Sequence, residues 1–198
     1  MGGRRSRPSG HTGRVVDPEL VVAAQGGDRE AFAILARASG DRLFGIARRI
    51  LRDHERAEDA VQNALVIAWR ELPRLRDPGR FEAWLTRLLV NDCYEDYRRS
   101  RRHDAHVRTL PVDGPAGPDE TQRVLDRDQL DRGFGRLQPD QRAVLVLRHY
   151  LGLDPVEIAR TLDIPEGTVR SRLHYAYRAM RAAIEADLRP ATEEGGSA

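Results

Sequence analysis

The stretch "PVEIARTLDIPEGTVRSRLHYAYRAMR" at residues 155–181 decides how the C-terminal part of this chain folds. Its first segment is short and follows Asp154, so "DPVE" combines an N-cap, a proline at the first helical position and the spacing of a capping box. A tight turn follows at 163–165, and a longer helical pattern then carries basic but no acidic residues from 168 to 183. Two helices joined by a brief turn, the second with a basic polar face, are typical of a helix-turn-helix.

The second helix has two chemically different faces when its residues are spaced 100° apart. The side chains predicted to face a core are Val169, Leu173, Ala176, Met180 and Ile184. Those predicted to point the opposite way, or to flank that side, are Arg170, Ser171, Arg172, His174, Tyr175 and Arg178. In the first helix, the side chains predicted to point inward are Val156, Ala159 and Leu162.

The polar face of the second helix suits contact with DNA. Arginine forks onto phosphates and guanine edges, while serine, histidine and tyrosine add hydrogen bonds and flat contact area. In a helix-turn-helix, the N-terminal residues of the second helix meet base edges in the major groove. Gly167, at the helix start, lets the backbone come near a phosphate. The alternative is a merely solvated helix, but the capped first helix and the turn favour DNA binding.

Composition limits the class of protein. Of the 198 residues, 32% are charged and 40% are hydrophobic, which is typical of a globular helical protein. The chain has no lysine; its arginines suit phosphate recognition but also follow from GC-rich codon usage. Cys93 is the only cysteine, which excludes an intramolecular disulfide and indicates a packing residue. The sequence has no apolar run of membrane-spanning length and no signal peptide, so we expect a cytosolic protein.

Two helical blocks flank a segment rich in proline, glycine and aspartate. The predicted fold is therefore all-α, with two small helical domains joined by a flexible linker. The predicted parts are a basic disordered tail at 1–16, a first domain at 17–102, a linker at 103–121, a second domain at 122–188 and a disordered tail at 189–198. Asp17 and Gln138, each before a proline, are further predicted N-caps.

Two helices of the first block have clear apolar patterns. In "EDAVQNALVIAW", the residues predicted to form one inward stripe are Val61, Ala64, Leu65, Ala68 and Trp69. After a loop at 72–80, the residues predicted to point inward from "FEAWLTRLLVNDCYEDYRRSRR" are Phe81, Trp84, Leu85 and Leu88. The arginine-rich end of this second helix suits either the helix dipole or a nucleic-acid partner, and the sequence leaves both open.

These motifs resemble bacterial RNA polymerase sigma factors of the sigma-70 family, in particular the extracytoplasmic-function (ECF) group. Glu157, Ile158 and Ala159, followed by "GTVRSR" at 167–172, match the pattern of that group's C-terminal DNA-binding domain. The first block is similar to the promoter-melting domain of the same family. Both halves occur in the family's order, over roughly residues 17–188, without the extra domain that larger sigma factors insert.

The resemblance implies a role for each group of residues. The implied contacts with the clamp helices of the polymerase β′ subunit are Asp59, Gln62, Asn63 and Val66. Those with the minus-ten element and its melted strand are Arg80, Trp84, Arg87, Leu88, Asn91, Arg98 and Arg99. Among these, Trp84 and Leu88 would wall a flipped base while Asn91 reads its edge. The implied contacts with the minus-thirty-five element are Thr168, Arg170, Ser171, Arg172, His174, Tyr175 and Arg178.

The resemblance also implies partners. They are core RNA polymerase, through its β′ clamp helices and its β subunit, promoter DNA, and an anti-sigma protein, with no insertion into a membrane. No catalytic residue, cofactor or metal is expected. Asp92 and Glu95 depart from the neutral or basic residues more usual on the outer face of that helix in the family.

Two other classes of protein compete with this interpretation. A stand-alone helix-turn-helix regulator binds its operator without polymerase, whereas a sigma factor binds little specific DNA until core enzyme is added. A metalloprotein would draw on "HDAH" at 103–106 or "HERAE" at 54–58. The first has no partners nearby in the sequence, and the second lacks the second histidine that a zincin helix requires.

Overall fold

The computed structural model describes residues 16–104 and 130–188, and within those ranges its regular structure is helical throughout, as predicted. The helices are α1 (Pro18–Gln25), α2 (Arg29–Leu51), α3 (His54–Glu71), α4 (Phe81–Asp104), α5 (residues 130–135), α6 (Pro139–His149), α7 (Pro155–Leu162) and α8 (Glu166–Leu188). Short 3-10 turns occupy the predicted loop before α4, at Leu72–Arg74 and Pro78–Arg80. The predicted linker beyond residue 104, and the two predicted tails apart from residue 16, lie outside the described residues.

Aspartate side chains begin several of the helices. Asp17 accepts a hydrogen bond from the Glu19 N–H at 2.9 Å, which confirms the predicted start of α1. Asp154 accepts from the Glu157 N–H at 2.8 Å, and the Glu157 carboxylate accepts from the Asp154 N–H at 2.7 Å. The predicted capping box of α7 is therefore confirmed. N-caps also occur at Asp28, Asp53 and Gln138.

A stripe of alanines lets the helices of the first domain approach closely. The alanines are each at most 1% exposed and comprise Ala57, Ala60, Ala64 and Ala68. Because their side chains are small, α3 packs tightly against α2 and α4. Val61, Leu65 and Trp69, the larger members of the predicted stripe, lie half-buried at its edges. From α4 the fully buried residues include Phe81, Leu85, Leu89 and Cys93.

The second domain is built around the apolar face of α8. Val169, Leu173 and Ala176 are buried, as predicted, and pack with residues of α6 and α7. Met180 and Ile184 lie partly exposed toward the end of the helix. The turn between α7 and α8 begins at a residue with a left-handed backbone, φ 54°. This conformation, which aspartate adopts more readily than most residues, ends α7 at Asp163.

The buried face of α7 differs from the predicted one. Val156 is 37% exposed, whereas Ile158, Thr161 and Leu162 are buried. These three residues lie at i, i+3 and i+4, so they form the stripe that α7 presents to α6 and α8. Val156, in the first turn, falls outside that stripe. The prediction that Val156 faces inward is therefore wrong, and the same prediction for Leu162 is confirmed.

The two domains are in direct contact, which the sequence did not predict. α2 packs on α6, and α4 packs on α6 and α7. The Arg49 guanidinium lies 4.0 Å from the centre of the Tyr150 ring, a cation–π contact between the domains. Tyr97 donates a hydrogen bond to Gln138 Oε1 at 3.1 Å. Gly45 permits this approach, because a Cβ there would lie 2.5 Å from the Tyr150 hydroxyl oxygen.

Candidate nucleic-acid and polymerase interfaces

α8 presents one stripe of polar side chains to solvent. The stripe consists of Arg170, Ser171, His174, Tyr175 and Arg178, all exposed as predicted. Tyr175 is 56% exposed, and its ring centre lies 5.6 Å from that of His174. Arg170 Nε donates to the Glu166 carboxylate at 2.8 Å. Because this exposed pair contributes little free energy, the guanidinium is free to exchange Glu166 for a phosphate or a base edge.

Thr168 and Arg172 are placed differently from the other residues predicted to contact the minus-thirty-five element. Thr168 is half-buried, and its carbonyl accepts a hydrogen bond from the Ser171 hydroxyl at 3.0 Å. Arg172 Nε lies 3.1 Å from the Asp140 carboxylate on α6. Arg172 also lines a groove of about 810 Å³ between the domains, with Tyr94. Arg172 therefore stands beside the domain contact, and its contact with DNA stays a prediction.

Three residues predicted to contact the minus-ten element, on α4 and just before it, face the helix-turn-helix across a narrow cleft. Arg80, Trp84 and Arg87 line one wall of this cleft, whose volume is about 220 Å³. Thr161 and Asp163, from the end of α7 and the turn after it, line the opposite wall. Arg87 Nη2 lies 2.9 Å from the Asp163 carboxylate. An ion pair between the domains therefore spans the cleft and engages a predicted DNA-contacting side chain.

The three residues expected to hold a flipped base share a face of α4. Trp84, Leu88 and Asn91 lie at i, i+4 and i+7. Trp84 is partly exposed, with its ring centre 6.1 Å from that of the buried Phe81, so it packs on the core and still reaches the surface. Leu88 is also partly exposed, and Asn91 is exposed. The tertiary structure thus keeps all three on one side of the helix.

Arg98 and Arg99 are both exposed but lie on different sides of α4. Arg98 lines the groove of about 810 Å³ between the domains. Arg99 lines a separate polar pocket between α3 and α4. Consecutive residues on a helix leave it about 100° apart, which explains the separation. Their contacts with DNA stay predictions.

The residues predicted to bind the polymerase clamp form an open stripe on α3. Asp59, Gln62, Asn63 and Val66 lie at i, i+3, i+4 and i+7 and are all exposed. Half of the Val66 surface is accessible to solvent. This outward face therefore joins two neutral amides, a carboxylate and an apolar side chain.

A polar pocket of about 240 Å³ lies next to that stripe, between α3 and α4. Its lining residues are Arg56, Asp59, Ala60, Gln62, Asn63, Asp92, Asp96 and Arg99. Arg56 Nη2 lies 2.6 Å from the Asp96 carboxylate, so an ion pair joins the two helices at the pocket. Three residues of the predicted clamp stripe thus border a cavity with strongly polar walls.

Asp92 is a buried carboxyl in this pocket, although its sequence position suggested the outer face of α4. Only 8% of its surface is exposed, and its Oδ2 atom has no hydrogen-bond partner among the described residues. Burial raises the pKa of this carboxyl, while a hydrogen bond from the Asn63 side chain favours its charged form. A signal was present in the sequence, since Asp92 follows Leu89 by three residues and adjoins Cys93, both in the buried stripe.

The described residues offer little other reactive chemistry. Cys93 is fully buried, and burial raises the pKa of its thiol to about 12, so the thiol stays protonated at neutral pH. In the ranges that the structure describes, no three His, Cys, Asp or Glu side chains are grouped so as to hold a metal ion. No helix of those same ranges is long and apolar enough to cross a membrane.

Comparison with known proteins places the chain in a family. Sigma-70 region 2 matches residues 35–103, and Sigma-70, region 4 matches residues 127–180. The chain is 35% identical over 174 residues to the ECF RNA polymerase sigma factor SigM of Mycobacterium tuberculosis H37Rv, covering 87% of this chain and 82% of SigM. It is 30% identical over 187 residues to the RNA polymerase sigma-H factor of Pseudomonas aeruginosa, covering 88% of this chain and 97% of that factor.

Solved structures agree with this result. The structure of CnrH in complex with the cytosolic domain of CnrY is similar with 27% identity and a TM-score of 0.60, over 87% of this chain and 99% of CnrH. The sigma factor RpoE of Bartonella quintana, in complex with the anti-sigma factor NepR, shares the fold with 24% identity and a TM-score of 0.58, over 74% of this chain and 92% of RpoE. The chain belongs to the ECF group of sigma-70 family RNA polymerase sigma factors. Its function is to direct transcription initiation at promoters, and a stand-alone regulator is not favoured.

Proposed function

We propose that this chain binds core RNA polymerase through the α3 stripe, reads the minus-thirty-five element with α8 and holds the melted minus-ten element on α4. One observation carries the proposal: two exposed faces of different chemistry stand on the two domains of one chain. The α3 stripe is polar and partly acidic, whereas the α8 stripe is basic and aromatic. The first suits a protein partner and the second suits duplex DNA.

The α8 stripe acts in the major groove. Arg170 and Ser171 stand at the N-terminal end of the helix, where base edges are closest in a helix-turn-helix. Arg178, two turns further on, reaches the phosphate backbone. His174 and Tyr175 lie between these ends and are exposed, so they add base or sugar contacts.

The α4 face acts on the opened strand. Trp84 supplies a stacking surface, Leu88 an apolar floor and Asn91 an amide for the edge of a flipped base. Arg80 and Arg87 supply positive charge for the phosphates beside it. Since Arg87 is paired with Asp163 while the two domains are in contact, the domains separate before this face takes up DNA.

The protein has no chemistry of its own in this proposal and acts with RNA polymerase in the cell interior. Domain separation places its two DNA-reading faces at promoter elements that lie apart on the duplex. An anti-sigma protein is the proposed regulator. The similarity to CnrH, whose structure was solved with the cytosolic domain of CnrY, supports a regulatory protein partner of this kind.

Run-off transcription with purified core polymerase tests the proposal. With genomic promoter fragments as templates, we expect transcripts that appear only when the chain is added. Arg170→Ala should reduce initiation at a promoter that depends on the minus-thirty-five element by about tenfold, because one arginine–guanine pair contributes about 1–3 kcal/mol. The same variant should bind core polymerase normally.

Two results would contradict this function. One is the absence of chain-dependent initiation on every promoter fragment. The other is specific operator binding by the chain alone that core polymerase does not enhance, which would favour a stand-alone regulator. Equal loss of polymerase binding and promoter recognition in Arg170→Ala would show that the α8 face is wrongly assigned.

A further inference from the structure

The pocket between α3 and α4 holds more carboxylates than guanidinium groups. It holds three carboxylates, Asp59, Asp92 and Asp96, and two guanidinium groups, Arg56 and Arg99. Both guanidinium groups are directed to Asp96, Arg56 at 2.6 Å and Arg99 at 3.9 Å. In the described parts of the chain, neither Asp59 nor Asp92 forms an ion pair within 4.0 Å. The pocket therefore has a surplus of negative charge.

In the described part of the chain, Asp92 is the carboxylate of this pocket with a buried oxygen that lacks a hydrogen-bond donor. More than nine-tenths of its surface is buried, it lines the pocket, and its Oδ2 finds no donor among the described residues. A buried carboxylate oxygen without a donor is unfavourable. The oxygen is satisfied when a donor enters the pocket from outside the domain.

The rim of the pocket indicates where such a donor comes from. Asp59, Gln62 and Asn63 border the cavity and are exposed on the α3 stripe. A protein docked on this stripe lies directly over the opening. The volume of about 240 Å³ equals about eight waters at about 30 Å³ each, so it admits a side-chain head group.

We propose that this pocket receives a guanidinium or ammonium group from the protein that docks on α3, and that Asp92 is a specificity-determining residue for that contact. The inference rests on the proposed function, in which the docking protein is core RNA polymerase. A cationic side chain fits because it donates several hydrogen bonds and offsets the surplus charge. Arg56 and Arg99 in the walls disfavour a small dication.

Asp92→Asn tests the proposal through two measurements on the full chain. The variant keeps the shape of the side chain and removes its charge, so we expect the Kd for core polymerase to rise about tenfold. The melting temperature of the free chain should stay the same or rise, because the unpaired buried carboxylate is removed. Glu95→Gln is the matched control: it removes the same charge from an exposed position on the same helix, and its Kd should change less than twofold.

A charge-relocation variant keeps the test independent of folding. Asn63→Asp combined with Asp92→Asn moves the carboxylate to the facing residue of the same pocket and leaves the pocket's total charge unchanged. This double variant should bind polymerase at least threefold better than Asp92→Asn alone. Failure to recover affinity would overturn the proposal.

The remaining outcomes separate this inference from the function. Unchanged polymerase affinity in Asp92→Asn overturns the inference and leaves the sigma-factor function intact, since the oxygen is then satisfied by water alone. A parallel fall of affinity and melting temperature also overturns it, because Asp92 is then a structural residue. Failure of the unaltered chain to bind core polymerase refutes the proposed function itself.

Discussion

The stripe of α3 that we propose binds the polymerase clamp and the face of α4 that we propose binds the minus-ten element belong to the same domain, yet they differ in what they contact. On α3, Asp59, Gln62 and Asn63 are exposed and border an open pocket. On α4, Arg87 is tied to Asp163 of the other domain across a cleft of about 220 Å³. In this arrangement the α3 stripe is open to solvent, whereas Arg87 on α4 is engaged by the other domain.

This difference suggests an order of events. In the proposed function, polymerase binding to α3 requires no change in the domain contact, whereas DNA binding to α4 requires the Arg87–Asp163 pair to open. The contact includes a cation–π pair, a hydrogen bond between side chains and an exposed ion pair. Buried apolar residues of both domains also belong to one continuous core cluster. The three polar contacts contribute modestly one by one.

The largest effect is expected from reversing a charge on the open stripe. Asp59→Arg should weaken binding to core polymerase by about 100-fold, because juxtaposed like charges cost several kcal/mol at an interface. Binding is measured by fluorescence anisotropy with labelled chain. Glu185→Arg, an exposed reversal near the end of α8, should bind within twofold of the unaltered chain. If both variants weakened polymerase binding equally, the α3 stripe would not be the polymerase-binding surface.

A bulky side chain placed in the domain contact should separate the domains and release Arg87 on α4. Leucine at position 45 displaces Tyr150, since even a Cβ there lies 2.5 Å from the tyrosine oxygen. We expect Gly45→Leu to increase the radius of gyration in X-ray scattering and to raise affinity for a single-stranded minus-ten oligonucleotide about tenfold. Gly40→Leu, on the same helix where a Cβ meets nothing within 4 Å, is the control. A Gly45→Leu variant that stays compact and binds no better would show that the contact does not restrain the α4 face.

A smaller effect is expected from the ion pair across the cleft. Asp163→Asn removes the charge that holds Arg87 and keeps a residue type that tolerates the left-handed backbone at φ 54°. Because exposed pairs contribute about 0.2–1 kcal/mol, affinity for the same oligonucleotide should rise by at most about fivefold. Glu166→Gln, which releases Arg170 outside the cleft, should leave this affinity unchanged. A larger gain in oligonucleotide affinity for Glu166→Gln than for Asp163→Asn would contradict the proposed contact of Arg87 with the minus-ten strand.

The smallest effect concerns Gly167 at the start of α8. A Cβ at this position meets nothing within 4 Å, so alanine fits the free chain. Gly167→Ala should stabilise the chain by about 0.5 kcal/mol in urea unfolding through its higher helix propensity. It should also weaken binding of the holoenzyme to a minus-thirty-five duplex by about twofold, if the backbone approaches a phosphate there. Unchanged DNA binding with raised stability would leave Gly167 without a role at the DNA.

The sequence was sufficient for features that depend on neighbours within one turn of helix. The capping box at Asp154 and the buried sequence Val169, Leu173 and Ala176 were predicted and confirmed, because side-chain spacing and local hydrogen bonds decide them. The exposure of the polar stripe on α8 was also predicted from side-chain spacing and confirmed. Val156 was misassigned, since its helix has only eight residues and a short helix leaves the angular position of its buried face poorly determined.

Only the tertiary structure decided which polar groups meet across helices. The burial of Asp92 depends on how closely the alanine stripe of α3 lets α4 approach, and the separation of Arg98 from Arg99 depends on which helix lies on each side of α4. The pairing of Arg87 with Asp163 joins residues that are far apart in the chain. Local spacing fixes which side chains share a face, but long-range packing fixes what that face touches. For that reason the sequence determined the helices and the family of this protein, whereas the fold alone placed a charged pocket beside α3 and paired Arg87 of α4 with the other domain.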